Sequence, residues 1–174
     1  MDEHVLLVGM MGSGKTTTGR LLAARLHRVF HDSDEEICRR TGMGVPAIFA
    51  SKGEAAFRAE ERGVLAAAIA DAVPGVIAVA GGAVLDPDSR RRIGRAGVVI
   101  WLRAAPSVLA SRVGAGAGRP LLEHDAEGTM QLLEARRRPV YRSIADATID
   151  VDWIGPHVAA ERAERVARAF IGAR

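Results

Sequence analysis

A chain of 174 residues, 48% hydrophobic and 26% charged, is long enough for one domain with an ordinary core. A domain of this size buries roughly 70% of its unfolded surface, and a single cysteine, Cys38, leaves no internal disulfide and no zinc-like spacing, so a reducing, cytoplasmic setting is expected. The net charge of +3 does not point to nucleic acid, because 21 acidic residues interleave with the basic ones and aromatic residues make up only 4%; nor does any apolar run reach the roughly 18 residues of a membrane span.

The first element is an aliphatic strand, Val5 to Val8, which runs into Gly9-Met-Met-Gly-Ser-Gly-Lys15-Thr16. This satisfies G-x-x-x-x-G-K-[ST] in the context that motif requires, after a strand and at the opening of a helical stretch, Lys15 to Leu26. Glycines let backbone N–H groups converge on phosphate oxygens, and the helix presents its positive end to them. Gly12, Ser13, Gly14, Lys15, Thr16 and Thr17 are therefore the candidate nucleotide-binding residues, with Lys15 on the β- and γ-phosphates and the Thr16 hydroxyl on Mg2+. ATP and Mg2+ are the expected cofactors.

A second strand, Val29 to His31, leads into Asp32-Ser33-Asp34. In an extended chain a spacing of two puts both carboxylates on one side, at the strand end that faces the ligand crevice of an open α/β sheet. Asp32 is a candidate for holding a Mg2+ water and Asp34 for accepting a proton from an attacking hydroxyl; the structural alternative is that one of them caps the following helix, Asp34 to Arg40. A longer helix, Glu54 to Ala70, carries Glu54, Arg58 and Glu61 at spacings that also suit a surface ion-pair network. Phe49 and Phe57 read as core.

Val76 to Val79 is the third strand, with Ala80 expected as its last residue and Gly81-Gly82 as the turn, whose glycines supply permissive dihedrals and close backbone approach. Helix Pro87 to Arg95, strand Val98 to Leu102 and helix Pro106 to Val113 follow. The run Gly114-Ala-Gly-Ala-Gly-Arg119-Pro120 then breaks the alternation and reads as a flexible lid over about residues 114–126, or as a plain linker. Helix Gly128 to Tyr141 contains Arg137 and Arg138, strand Thr148 to Val151 is the fifth, and helix His157 to Ile171 is the last. Strands alternating with helices predict an α/β fold with a parallel sheet in a single domain spanning 1–174.

The ordered set of the P-loop, Asp32-Ser-Asp34, Ile48-Phe49 through Gly53-Glu54 to Phe57-Arg58 and Glu61, Gly81-Gly82, Arg119-Pro-Leu121 and Arg137-Arg-Pro139-Val-Tyr141 resembles shikimate kinase from Val5 to about Phe170. That resemblance implies the nucleoside-monophosphate-kinase type of P-loop NTPase, with a five-stranded parallel sheet in the order 2-3-1-4-5 flanked by helices. It implies phosphorylation of a ring hydroxyl of shikimate by ATP, with Asp34 facing the acceptor hydroxyls, Arg58 and Arg137 gripping its carboxylate, and Gly81 and Gly82 approaching acceptor and γ-phosphate. Arg119 is then the lid arginine on the transferring phosphate, and Arg112 with Pro156 the adenine side. The chain departs from the family at Ala80, where a third glycine is usual.

Competing readings are a kinase of the same fold for another small hydroxylated acid or polyol, and a nucleotide-dependent binding switch. The switch lacks support: its guanine-reading N-K-x-D motif needs asparagine, and this chain has none. The expected partner is a small acidic substrate, with no nucleic acid or membrane, and the expected state is a monomer.

Overall fold

The computed structural model describes residues 3–114 and 125–172. Arg119, Pro120 and most of the segment expected as a lid lie outside the described residues. Five strands, β1 His4–Val8, β2 Val29–Asp32, β3 Gly75–Ala78, β4 Gly97–Arg103 and β5 Ala147–Asp150, form one sheet in the order β2-β3-β1-β4-β5. Every pairing is parallel, which confirms the expected topology. All five residues of β1 and all four of β3 are buried, as they must be where helices cover both faces of a parallel sheet.

The helices are α1 Lys15–Leu26, α2 Ser33–Thr41, α3 Val45–Ile69, α4 Pro87–Ala96, α5 Pro106–Val113, α6 Ala126–Ile144 and α7 Pro156–Gly172, with a 3-10 turn at Ala83–Leu85. Their ends follow local chemistry. Proline sits in the first turn of α3, α4 and α5, where the missing N–H is not needed. Helix α2 has acidic residues in its first turn and Arg39 and Arg40 in its last, matching the helix dipole at both ends. No helix among the described residues is long and apolar enough to cross a membrane.

One helix begins earlier than the sequence pattern indicates. The element expected from Glu54 starts at Val45 and is broken at Gly53, whose φ of 78° and ψ of 172° are open only to glycine at low cost. Two helical segments therefore meet at a corner there. The segment before the corner closes over a small apolar cluster of Ile37, Ile48, Phe57 and Val64, separate from the main core around the sheet, with the Phe49 and Phe57 rings 4.7 Å apart.

The register positions the site. Strand β1 feeds β2 on one side while β4 feeds β5 on the other, so the chain diverges between two neighbouring strands and opens a crevice at their carboxyl ends. Asp32 and Leu7 both align with Ala78, and Val8 aligns with Trp101. The residues following β1, β2 and β3 thus emerge at one edge of the sheet.

Candidate active site

The phosphate loop is built by backbone conformations that other residues rarely adopt. Gly12 and Gly14 have φ of 79° and 86°, and Gly14 sits just before α1 in the left-handed region. Space is a second constraint: a Cβ on Gly12 would lie 2.8 Å from the Val113 side chain and 3.0 Å from the Leu109 carbonyl oxygen of α5. Lys15 Nζ donates to the carbonyls of Gly9 at 2.9 Å and Met10 at 3.0 Å, holding the ammonium over the loop's own backbone. Ser13 is buried with its hydroxyl unpartnered, while Thr17 is exposed in the first turn of α1. A glycine loop with a lysine, opening onto a helix N-terminus, is suited to a polyphosphate.

Asp32 serves two ends at once. Its Oδ1 accepts from the backbone N–H of Asp34 at 3.0 Å and of Glu35 at 3.2 Å, capping α2, while its Oδ2 accepts from Thr16 Oγ1 at 2.6 Å. The capping alternative is therefore real for Asp32, and it uses the oxygen that does not face the phosphate loop. The paired hydroxyl and carboxylate fit a hard divalent cation such as Mg2+, which takes one or two protein oxygens and fills its remaining positions with water and phosphate. Asp34 is a correction to the extended-chain argument. The chain turns helical at Ser33, so Asp34 lies in the first turn of α2, exposed, on a helix instead of a strand.

Beside the glycine pair that follows β3 lies a cluster of opposite charges, partly buried. Arg58 Nη1 donates to Glu61 Oε2 at 2.7 Å, and Arg58 Nη2 lies 3.3 Å from Glu54 Oε1, so the ion-pair network read from the spacing is present. It runs from the surface into the interior, because the Glu54 side chain is 67% exposed whereas Glu61 is only 3% exposed. Arg137 of α6 is 7% exposed, and its Nε has no hydrogen-bond partner. A buried, under-bonded guanidinium is costly unless an anion joins it. Arg138, by contrast, is an exposed arginine paired with Glu134 at 2.6 Å.

The glycine pair is needed for room and not for dihedrals, which corrects the sequence expectation. Gly82 has φ of −90°, and neither Gly81 nor Gly82 has a positive φ. A Cβ on Gly81 would stand 3.2 Å from the Gly9 carbonyl oxygen, 3.4 Å from Arg137 Nη1 and 3.5 Å from the Tyr141 hydroxyl; one on Gly82 would overlap the Arg58 guanidinium. Each glycine thus lets one arginine lie against the backbone. Ala80 is buried, its carbonyl accepting from Ala83 N–H at 3.0 Å, although β3 already ends at Ala78.

Tyr141 holds this loop in place, donating to the Gly81 carbonyl at 2.8 Å. Burial pushes its hydroxyl up to about 12, so it remains a donor throughout the neutral range. Its role was not assigned from the sequence, where only the spacing within Arg137-Arg-Pro139-Val-Tyr141 marked the tyrosine. Arg112, expected beside adenine, donates from Nη2 to the Val151 and Asp152 carbonyls and so ties the end of α5 to the loop that leads to Pro156 and α7.

Two measurements test this geometry. Gly82→Ala is expected to displace the Arg58 guanidinium, the flexible end of its side chain, and to lower kcat/KM for an acidic acceptor by roughly tenfold, within the usual overpacking cost, while KM for ATP holds. The Glu61 carboxyl is raised above its ordinary value of 4.5, chiefly because burial removes its solvating water and with a contribution from Asp34, against the pull of Arg58 and Arg137. A carboxyl raised in this way binds protons more readily folded than unfolded, so its contribution to stability falls as pH rises from about 4.5 through the folded value. Glu61→Gln is expected to flatten that decline in a series of melting temperatures.

Similarity to known proteins agrees with this arrangement. A model of the shikimate kinase family matches residues 11–168. The shikimate kinase of Thiobacillus denitrificans is 43% identical over 149 residues, 85% of this chain and 81% of that protein. The one from Burkholderia lata is 44% identical over 152 residues, 86% of this chain and 82% of the relative. Among solved structures, shikimate kinase from Acinetobacter baumannii in complex with shikimate superposes with a TM-score of 0.90 at 34% identity, covering 100% of this chain and 96% of that one. A gluconokinase from Sinorhizobium meliloti, at 18% identity and a TM-score of 0.59, shares the fold alone. With the phosphate loop at the crevice, two arginines converging on a glycine pair, and these similarities across nearly the whole chain, the protein belongs to the shikimate kinase family of small-molecule kinases.

Proposed function

We infer that this chain transfers the γ-phosphoryl group of ATP to a ring hydroxyl of shikimate, giving shikimate 3-phosphate and ADP, a step of aromatic amino acid biosynthesis through chorismate. The observation that carries the choice of acceptor is the buried Arg137 guanidinium with its unpartnered Nε, close to Arg58 across Gly81 and Gly82 and beside the phosphate loop. A planar guanidinium matches a carboxylate through two parallel hydrogen bonds, and a neutral polyol offers no such partner.

The family resemblance, together with the geometry of the described residues, supports the following roles. Gly12, Ser13, Gly14 and Thr17 surround the phosphates, and Lys15 leaves its backbone carbonyls for the β- and γ-oxygens. Thr16 and Asp32 would hold Mg2+, whose charge offsets that developing on the phosphates. Asp34 accepts the proton of the attacking hydroxyl as its oxygen bonds to the γ-phosphorus and the bond to the β-phosphate oxygen breaks, releasing ADP. Arg119 is assigned to the transferring phosphate, and Arg112 with Pro156 to the adenine side. The protein is taken to act as a cytoplasmic monomer.

A coupled ADP-release assay tests this directly. Turnover is expected with shikimate and not with gluconate or other small hydroxylated acids; turnover confined to another acceptor would overturn the acceptor assignment. Ala80→Gly is expected to change kcat/KM for shikimate by less than about tenfold, because Ala80 packs into the main core without a positive φ. A gain of roughly a hundredfold would mean that its methyl group reshapes the acceptor pocket.

A further inference from the structure

We propose that Met10, the second residue of the phosphate loop, is a positioning residue for the acceptor: its thioether aims the Arg137 guanidinium at the acceptor's carboxylate. The proposal rests on the reading of Arg137 as the carboxylate's partner. Met10 is 3% exposed, although it belongs to a loop otherwise devoted to phosphate. Its Sδ lies 3.8 Å from Arg137 Nη1 and 4.0 Å from the Tyr141 hydroxyl. Its carbonyl oxygen faces the other substrate, accepting from Lys15 Nζ at 3.0 Å and from Ser13 N–H at 3.2 Å. One residue thus touches the nucleotide lysine with its backbone and the acceptor arginine with its side chain.

The chemistry of the contact explains why a thioether suits the place. Arg58 is held by Glu61 and Glu54, carboxylates that offset its charge. Sulfur is a weak, neutral acceptor, so it orients the Arg137 guanidinium without neutralising it and without competing with an incoming carboxylate. The Tyr141 hydroxyl, already committed to the Gly81 carbonyl, closes the same corner. Arg137 is therefore fixed on one side by soft contacts, and its Nε remains unpartnered.

Two substitutions separate acceptor chemistry from bulk. Met10→Leu keeps the volume and removes the acceptor, while Met10→Gln keeps an acceptor at similar reach. Steady-state kinetics and calorimetric titration with shikimate are measured for both, alongside melting temperatures. Met10→Leu is expected to raise KM and Kd for shikimate about three- to tenfold, and Met10→Gln to stay within about twofold of the unaltered protein. KM for ATP is expected to hold in both, because the backbone carbonyl that meets Lys15 is unchanged. Equal losses in the two variants, an unaltered KM for shikimate in Met10→Leu, or a parallel rise in KM for ATP would each overturn the proposal. An unaltered protein that fails to bind shikimate would overturn the acceptor reading together with this one, whereas normal binding by both it and Met10→Leu would overturn this one alone.

Discussion

Asp34→Asn is expected to lower kcat by about 10²- to 10⁴-fold, while affinity for ADP changes less than about threefold. The substitution keeps the side chain's shape and removes its ability to take a proton. The cap of α2 survives the substitution, because it belongs to Asp32, whose Oδ1 accepts from two backbone N–H groups. The lost interaction of its charge with the helix dipole accounts for about 0.3 to 1 kcal/mol. A collapse of kcat with the fold intact is the expected pair of results. Equal loss of ADP affinity and of kcat, with a much lower melting temperature, would return Asp34 to a structural role.

Arg137→Met should separate function from stability in the opposite sense. Truncating one member of a buried, hydrogen-bonded charge pair costs about 2 to 5 kcal/mol, so kcat/KM for shikimate is expected to fall roughly 30- to 5,000-fold, with KM for ATP little changed. The free protein is expected to melt at the same temperature or higher, because the substitution removes a buried guanidinium whose Nε is unpartnered and keeps an apolar side chain in its place. A residue that costs the empty fold something while serving the bound one is the signature of a functional site. Preserved turnover with a lowered melting temperature would instead make Arg137 a packing residue of α6.

The sheet was legible in the sequence because its three central strands are short β-branched or aliphatic runs buried on both faces, with shorter, partly exposed runs at the edges; the observed strands depart from the expected ones by a single residue at most ends. The phosphate loop was legible for a different reason: its glycines, lysine and threonine act through spacing along the chain, which needs no distant contact to be recognised. Asp32 and Asp34 were candidates through their spacing at a strand end, and Arg58 and Arg137 through the order of their motifs; each alone has a commoner structural use, and for Asp32 that use, capping α2, is present.

What only the tertiary structure decided are the relations between distant segments. The helix segment from Val45 to the corner at Gly53 was hidden because its start is marked by Pro46 and its end by a left-handed glycine, while its apolar face answers to Ile37 and Val64 from elsewhere in the chain. Gly81 and Gly82 looked like turn residues, yet their lack of a side chain matters because Arg137 and Arg58, 56 and 24 residues further along or back, lie against them. The contact of Met10 with Arg137, across 127 residues of sequence, leaves no local pattern at all. Spacing along a chain records chemistry done by neighbours; burial, orphaned donors and close approach arise when the sheet brings separate strand ends to one edge, and they can be read only there.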